Sequence, residues 1–98
     1  MDFKIPKQLY LGAQKIVIEN VDRITDGEKD FIGFAFYTEG KIEIKKDKSC
    51  SKDYKDYLFF HELVHHILYQ IQEEKLSQDE KFISRFAILL HQAIITMK

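Results

Sequence analysis

Residues 59–71 read FFHELVHHILYQI. Phe60, Leu63, Val64, Ile67 and Ile71 recur at helical spacing, which predicts an amphipathic helix with one buried face. On that helix His61 and His65 are four positions apart, so their side chains lie one above the other, about 6 Å apart at Cβ. Two imidazoles so placed can hold one Zn²⁺ at about 2.0–2.1 Å. Glu62 sits about 100° round the helix from His61. That is too displaced for a ligand alongside both histidines, yet close enough to reach a water beside the ion. This geometry is the reason for the His-Glu-x-x-His pattern. The competing reading is a polar helix flank that carries two histidines and no metal.

Outward from this helix, Ser49 or Ser51 can cap its start, and Asp53 suits its first turn. Beyond it, EEKLS (73–77) breaks the periodicity, and SQDE (77–80) reads as a capping box with Ser77 as N-cap and Glu80 three residues on. Phe82, Phe86, Leu89 and Ala93 form the apolar stripe of a second helix, widened by Ile83, Ala87, Leu90 and Ile94.

The first half reads as sheet. KIVIENV (15–21) is rich in β-branched residues and predicts a strand. Residues 5–14 are ambiguous, with Pro6 disfavouring helix and Gly12 suited to a bulge. DGEKD (26–30) reads as a turn. In FIGFAFYTEGKIEIKK (31–46) two alternating runs joined by TEG predict a β-hairpin, with Gly40 taking the positive φ of the turn. Strands followed by helices imply an α+β fold. The expected architecture is a small sheet of three strands or slightly more, antiparallel or mixed, followed by two packed helices on one sheet face. The 98 residues fit a single domain, 1–98.

A catalytic zinc takes three protein ligands and leaves a fourth position open. Downstream of the histidines stand Glu73, Glu74, Asp79, Glu80 and His91. Glu73 and Glu74 fall at or just past the end of the same helix. His91 is eleven residues beyond Glu80, about 16 Å further along the second helix. Glu80 opens that helix as it returns beside the first and is the preferred ligand; Asp79 is the weaker choice, and a purely capping role for Glu80 competes.

Composition narrows the function classes. The net charge is −1, which argues against a broad nucleic-acid-binding surface. KKDKSCSK (45–52) interleaves its lysines with Asp47 and serines and reads as a solvated turn. The single cysteine, Cys50, cannot form an internal disulfide. There is neither a signal-peptide layout at MDFKIPKQ nor an apolar run near the ~20 residues of a membrane span. The chain therefore reads as cytoplasmic.

HELVHHILYQI followed by DEKFISRFAILL resembles the gluzincin metallopeptidases, more narrowly the minigluzincins and the ImmA/IrrE-like peptidases of phages and mobile elements. The resemblance covers about residues 31–94, strong at the helix motif and weak at the strands. It implies that His61, His65 and Glu80 bind zinc and that Glu62 is the general base. Phe86-Ala87 and Leu89-Leu90 follow Glu80 at the matching spacing, which favours Glu80 as a ligand. The resemblance also implies that the strand before the active-site helix forms the rim of the cleft and pairs with an extended protein or peptide substrate. Here that strand is GFAFY (33–37), with Phe34, Ala35, Phe36 and Tyr37 as the substrate-binding residues and 41–46 as the next strand inward. Ser84 stands where the family places an Asn or Asp, and Val64 where the ImmA-like branch often has glycine.

The function so implied is zinc-dependent peptide-bond hydrolysis. Tyr57 and Tyr69, one turn either side of the histidines, read mainly as packing, Arg85 as solvent-facing, and His66 as a solvated flank residue at i, i+4 from Glu62. Two other functions compete. One is a catalytically silent, zinc-stapled protein-binding module, made latent if IITMK (94–98) folds back over the cleft. The other is a metal-free helix–hairpin interaction domain.

Overall fold

The computed structural model describes residues 3–26 and 29–97. Among them, strands β1 (Gln8–Leu11), β2 (Gln14–Val21), β3 (Ile24–Asp26), β4 (Lys29–Phe31), β5 (Gly33–Phe36) and β6 (Lys41–Lys45) precede helices α1 (Lys52–Gln70), α2 (Glu74–Ser77) and α3 (Glu80–Thr96). The fold is α+β, as the order of patterns implied. Four strands form a mixed sheet in the order β1-β2-β6-β5, and β3 pairs with β4 separately. β2 and β6 run parallel, while β1 and β5 lie antiparallel to their neighbours.

Strand alternation sets the faces of the sheet. Ile16 and Ile18 of β2 and Ile42 and Ile44 of β6 are buried together, while Lys15, Glu19 and Glu43 point to the other face. Gly40 takes φ +64° in the β5–β6 hairpin, and a Cβ there would meet the Lys15 carbonyl at 2.8 Å. Residues 8–11, ambiguous in sequence, form β1, and Gly12 belongs to the tight turn into β2 rather than to a bulge. Within DGEKD, Asp26 ends β3 and Lys29 and Asp30 belong to β4; Gly27 and Glu28, where a turn was expected, lie outside the described residues.

Ser51, not Ser49, caps α1, its hydroxyl accepting from the Tyr54 amide at 3.1 Å. Ser49 instead donates to the Asp47 side chain. The helix lies between the sheet and α3, so its buried residues are not confined to one face. Leu58, Phe59, Phe60, Val64 and Leu68 are all buried, whereas Ile71, expected in the stripe, is the exposed C-cap. The chain then turns through Gln72 at φ +63°. The Gln72 amide bonds the Tyr69 carbonyl and the Glu73 amide bonds the Leu68 carbonyl, which is a Schellman termination.

One expectation for the second helix fails and another holds in part. Ser77 is not its N-cap, because residues 74–77 form the short α2; Asp79 caps α3, its carboxylate accepting from the Phe82 amide at 3.0 Å. Of the expected apolar stripe, the residues that widen it meet the core, together with Phe82. Ile83 and Ala87 are buried, with Leu90 and Ile94 packed against them, while Phe86, Leu89 and Ala93 are exposed. Of the two long helices, α1 packs on the sheet through β5 and β6, and α3 packs on α1 and α2.

Candidate metal centre

The middle of α1 and the first residue of α3 meet at the mouth of a cleft. The Nε2 atom of His61 lies 2.9 Å from Glu80 Oε2, and Nε2 of His65 lies 3.0 Å from Glu80 Oε1. The three side chains each offer a ligand atom within 4.8 Å of the other two. Two ligands about 2.0–2.1 Å from a tetrahedral ion stand about 3.3 Å apart, close to this spacing. Glu80 reaches the histidines because the αL turn at Gln72 and the single turn of α2 fold the chain back along α1. Asp79, the weaker candidate, is occupied as the cap.

The outer nitrogens of both rings are engaged. The Ser77 carbonyl lies 2.7 Å from His65 Nδ1, and the Tyr57 hydroxyl lies 3.2 Å from His61 Nδ1. A carbonyl only accepts, so Nδ1 of His65 carries a proton, and in the neutral ring Nε2 is then the bare nitrogen. Burial lowers the pKa of His65, favouring the neutral ring over the effect of nearby Glu80. A bare lone pair then faces a carboxylate oxygen at 3.0 Å. Two acceptors at that distance repel unless a cation joins them, and the donor set of two imidazoles and a carboxylate suits zinc.

Glu62 is not among the three converging groups, as its place on the helix predicted. It lines the same cleft, is buried at 7% exposure, and rests against β5, where a Cβ on Gly33 would stand 3.3 Å from its Oε2. Burial first, and the Glu80 charge second, push its carboxyl up to about 8.

Beside the histidines, Tyr37 stacks on Tyr69 with ring centroids 4.5 Å apart. Its hydroxyl lies 3.1 Å from His65 Nδ1, and burial together with Glu62 and Glu80 raises its pKa to about 12. Tyr37 was expected only as part of a substrate-pairing strand, and Tyr57 mainly as packing. Both phenols touch ring nitrogens of the histidines. Placement four residues before His61 was the available signal for Tyr57. The Ser77 contact is made by backbone and had none. The position of Ser84, where an Asn or Asp was expected to orient a histidine, matters less once Ser77 and Tyr57 fill that role.

His66 departs from its expected place on a solvated flank. It is completely buried, with Nε2 donating to the Lys41 carbonyl at 2.9 Å. It ties α1 to β6 rather than acting on Glu62. Arg85 is exposed, as expected.

The cleft has a volume of about 960 Å³ and runs along β5, the edge strand of the sheet. The Lys45 amide bonds the Ile32 carbonyl at 2.8 Å. By the register of the pair, residues 34 and 36 turn their main chain inward to β6. Gly33 and Ala35 then present their main-chain groups at the free edge. The rings of Phe34 and Phe36 pack on each other at 4.9 Å, with Phe31 against Phe34, while the Ala35 side chain is buried. The segment from Ile94 to Thr96 continues α3 instead of folding back over the cleft.

No model of a known protein family matches the chain, and no match is found among curated proteins or solved structures. The geometry therefore stands on its own residues. A second group, Asp53, Asp56 and His91, also gathers ligand atoms within 4.8 Å. There Lys52 already holds Asp56 at 2.7 Å, neutralising that carboxylate with an ammonium. No helix of the described residues is long and apolar enough to cross a membrane.

Proposed function

We propose that the chain is a zinc-dependent peptidase of the HExxH…E type, acting on an extended protein or peptide segment. The observation that carries this reading is the convergence of two Nε2 atoms on one carboxylate while the Nδ1 atoms are engaged from behind. His61, His65 and Glu80 would hold the ion. When bound, it supplies Lewis-acid polarisation of a carbonyl and a water of lowered pKa.

The chain's own residues do the rest. Glu62 takes a proton from the attacking water and returns it to the leaving amine as the C–N bond breaks. Burial and the Glu80 charge push the Glu62 carboxyl up to about 8; a dication held by the neighbouring ligands would favour the ionised form that the base needs. The free edge of β5 at Gly33 and Ala35 pairs with the main chain of the substrate, which gives affinity with weak side-chain selection. Tyr37 remains a neutral phenol near neutral pH. With the His65 N–H directed at Ser77 and Tyr37, the phenol hydrogen is free to donate to the developing oxyanion.

The test compares wild type, His61→Ala and Glu62→Gln. Wild type should carry one zinc per chain and cleave members of an unstructured peptide library. His61→Ala should lose the metal. Glu62→Gln should keep the metal and lose cleavage. Zinc-loaded wild type that cuts nothing would leave a silent zinc-stapled module and end the peptidase reading.

A further inference from the structure

α3 carries two apolar seams. One, Ile83-Ala87-Leu90-Ile94, meets the core. The other, Phe82-Phe86-Leu89-Ala93, repeats the same four-three-four spacing about 100° round the helix and faces outward. Along it Phe82 is half-buried, Phe86 is 50% exposed and Leu89 is 67% exposed. A groove of about 430 Å³ runs beside the first half of this seam, lined by Phe82, Arg85, Phe86 and Leu89 among others. Scattered exposed apolar residues need no explanation, but a continuous seam at coiled-coil spacing does.

We propose that this seam is the interface of a two-fold dimer, in which α3 packs antiparallel along α3 of a second copy of this chain. Shape favours that occupant. With the two-fold axis between Phe86 and Leu89, the large Phe82 falls opposite the small Ala93 at each end, and Phe86 opposite Leu89 at the centre, so the seam is complementary to itself along its length. Charge favours the same direction. Lys81 and Arg85 occupy the first half of the helix, whereas residues 86–97 carry no Lys, Arg, Asp or Glu. Antiparallel packing sets those cations against the uncharged half of the mate. The last turn of that half has no basic residue to offset its exposed carbonyls.

The dimer leaves the cleft open. Glu80 lies about 180° round α3 from Leu89, so the seam and the metal centre use opposite sides of the helix. The inference does not depend on the proposed peptidase activity. A contact confined to one helix pair falls below about 1,200 Å² in total, the class of weak, reversible interfaces. Association in the micromolar range is expected.

Sedimentation velocity on the metal-loaded chain tests this. The mass should rise from 11.7 kDa towards twice that value between low and high micromolar concentration. Leu89→Lys should stay monomeric throughout, with unchanged helical circular dichroism and zinc content. Direction is read by cross-linking in a Cys50→Ser background with two exposed positions, Arg85→Cys and Gln92→Cys. An antiparallel pair brings 85 near 92 and holds like positions beyond disulfide reach. The mixture should therefore cross-link while each variant alone does not. A wild type that is monomeric at every concentration, a Leu89→Lys variant that still dimerises, or cross-linking of either variant with itself would overturn the proposal.

Discussion

The carbonyl oxygen of Ser77 stands 2.7 Å from Nδ1 of His65. This backbone contact, made by the last residue of α2, fixes which nitrogen of His65 faces Glu80. Metal-ligating histidines are oriented by such partners on their second nitrogen. Tyr57 stands in the same relation to His61 at 3.2 Å.

If Tyr57 orients His61, Tyr57→Phe should weaken zinc binding by about 10- to 100-fold. The ring contacts to His61 and Tyr54 survive that change, so thermal stability should hardly move. Competition against a chromophoric chelator reads the affinity. An unchanged affinity would mean that the phenol only packs.

Gly33 leaves the space that Glu62 occupies. A Cβ there would stand 3.3 Å from Oε2 and 3.5 Å from Cγ of Glu62, so the carboxylate must shift. Misplacing a reacting group by about 1 Å can cost about 100-fold. Gly33→Ala should keep its zinc and lose roughly tenfold or more in kcat on a cleavable peptide. Full activity in this variant would show that β5 does not set the position of the base.

Acid should weaken the metal-free fold partly through His66. Burial lowers its pKa from the ordinary 6.5, beyond what the Lys41 carbonyl restores. Below pH 6.5 the unfolded chain takes up the proton before the folded one does. The stabilising contribution is thus present above pH 6.5 and is lost as pH falls toward the lowered folded value. One such proton adds a slope of up to about 1.4 kcal/mol per pH unit. Urea unfolding in excess chelator should show a smaller pH slope for His66→Leu than for wild type between pH 6.5 and 5. Equal slopes would contradict a neutral, buried ring.

Gln72 holds a left-handed conformation at φ +63° without being glycine. That conformation costs an L-residue about 1 kcal/mol. Gln72→Gly should therefore stabilise the turn that brings Glu80 back to α1, raising Tm by about 4–8 °C for a domain of this size. A lower Tm would mean that the Gln72 side chain makes a contact worth more than the strain.

What the sequence reveals here depends on range. The pair His61 and His65 and the alternation in β2 and β6 are local patterns, so they were legible. Glu80 could be reached by following a short turn between helices. The cap was misassigned because Ser77 with Glu80 and Asp79 with Phe82 both satisfy the three-residue capping geometry; a separate helical turn at 74–77 decided between them. The two seams of α3 have the same spacing, and periodicity alone does not say which one meets the core. The parallel pairing of β2 with β6, the burial of His66 beneath β6 and the Ser77 carbonyl at His65 are long-range outcomes of packing, with no short-range trace in the chain.

The central claim is a metal shared by His61, His65 and Glu80. Crystals grown with excess zinc and measured across the zinc absorption edge test it most directly. One anomalous peak should lie about 2.0–2.1 Å from both Nε2 atoms and from a Glu80 oxygen. No peak at that position, or a peak only among Asp53, Asp56 and His91, would contradict the account.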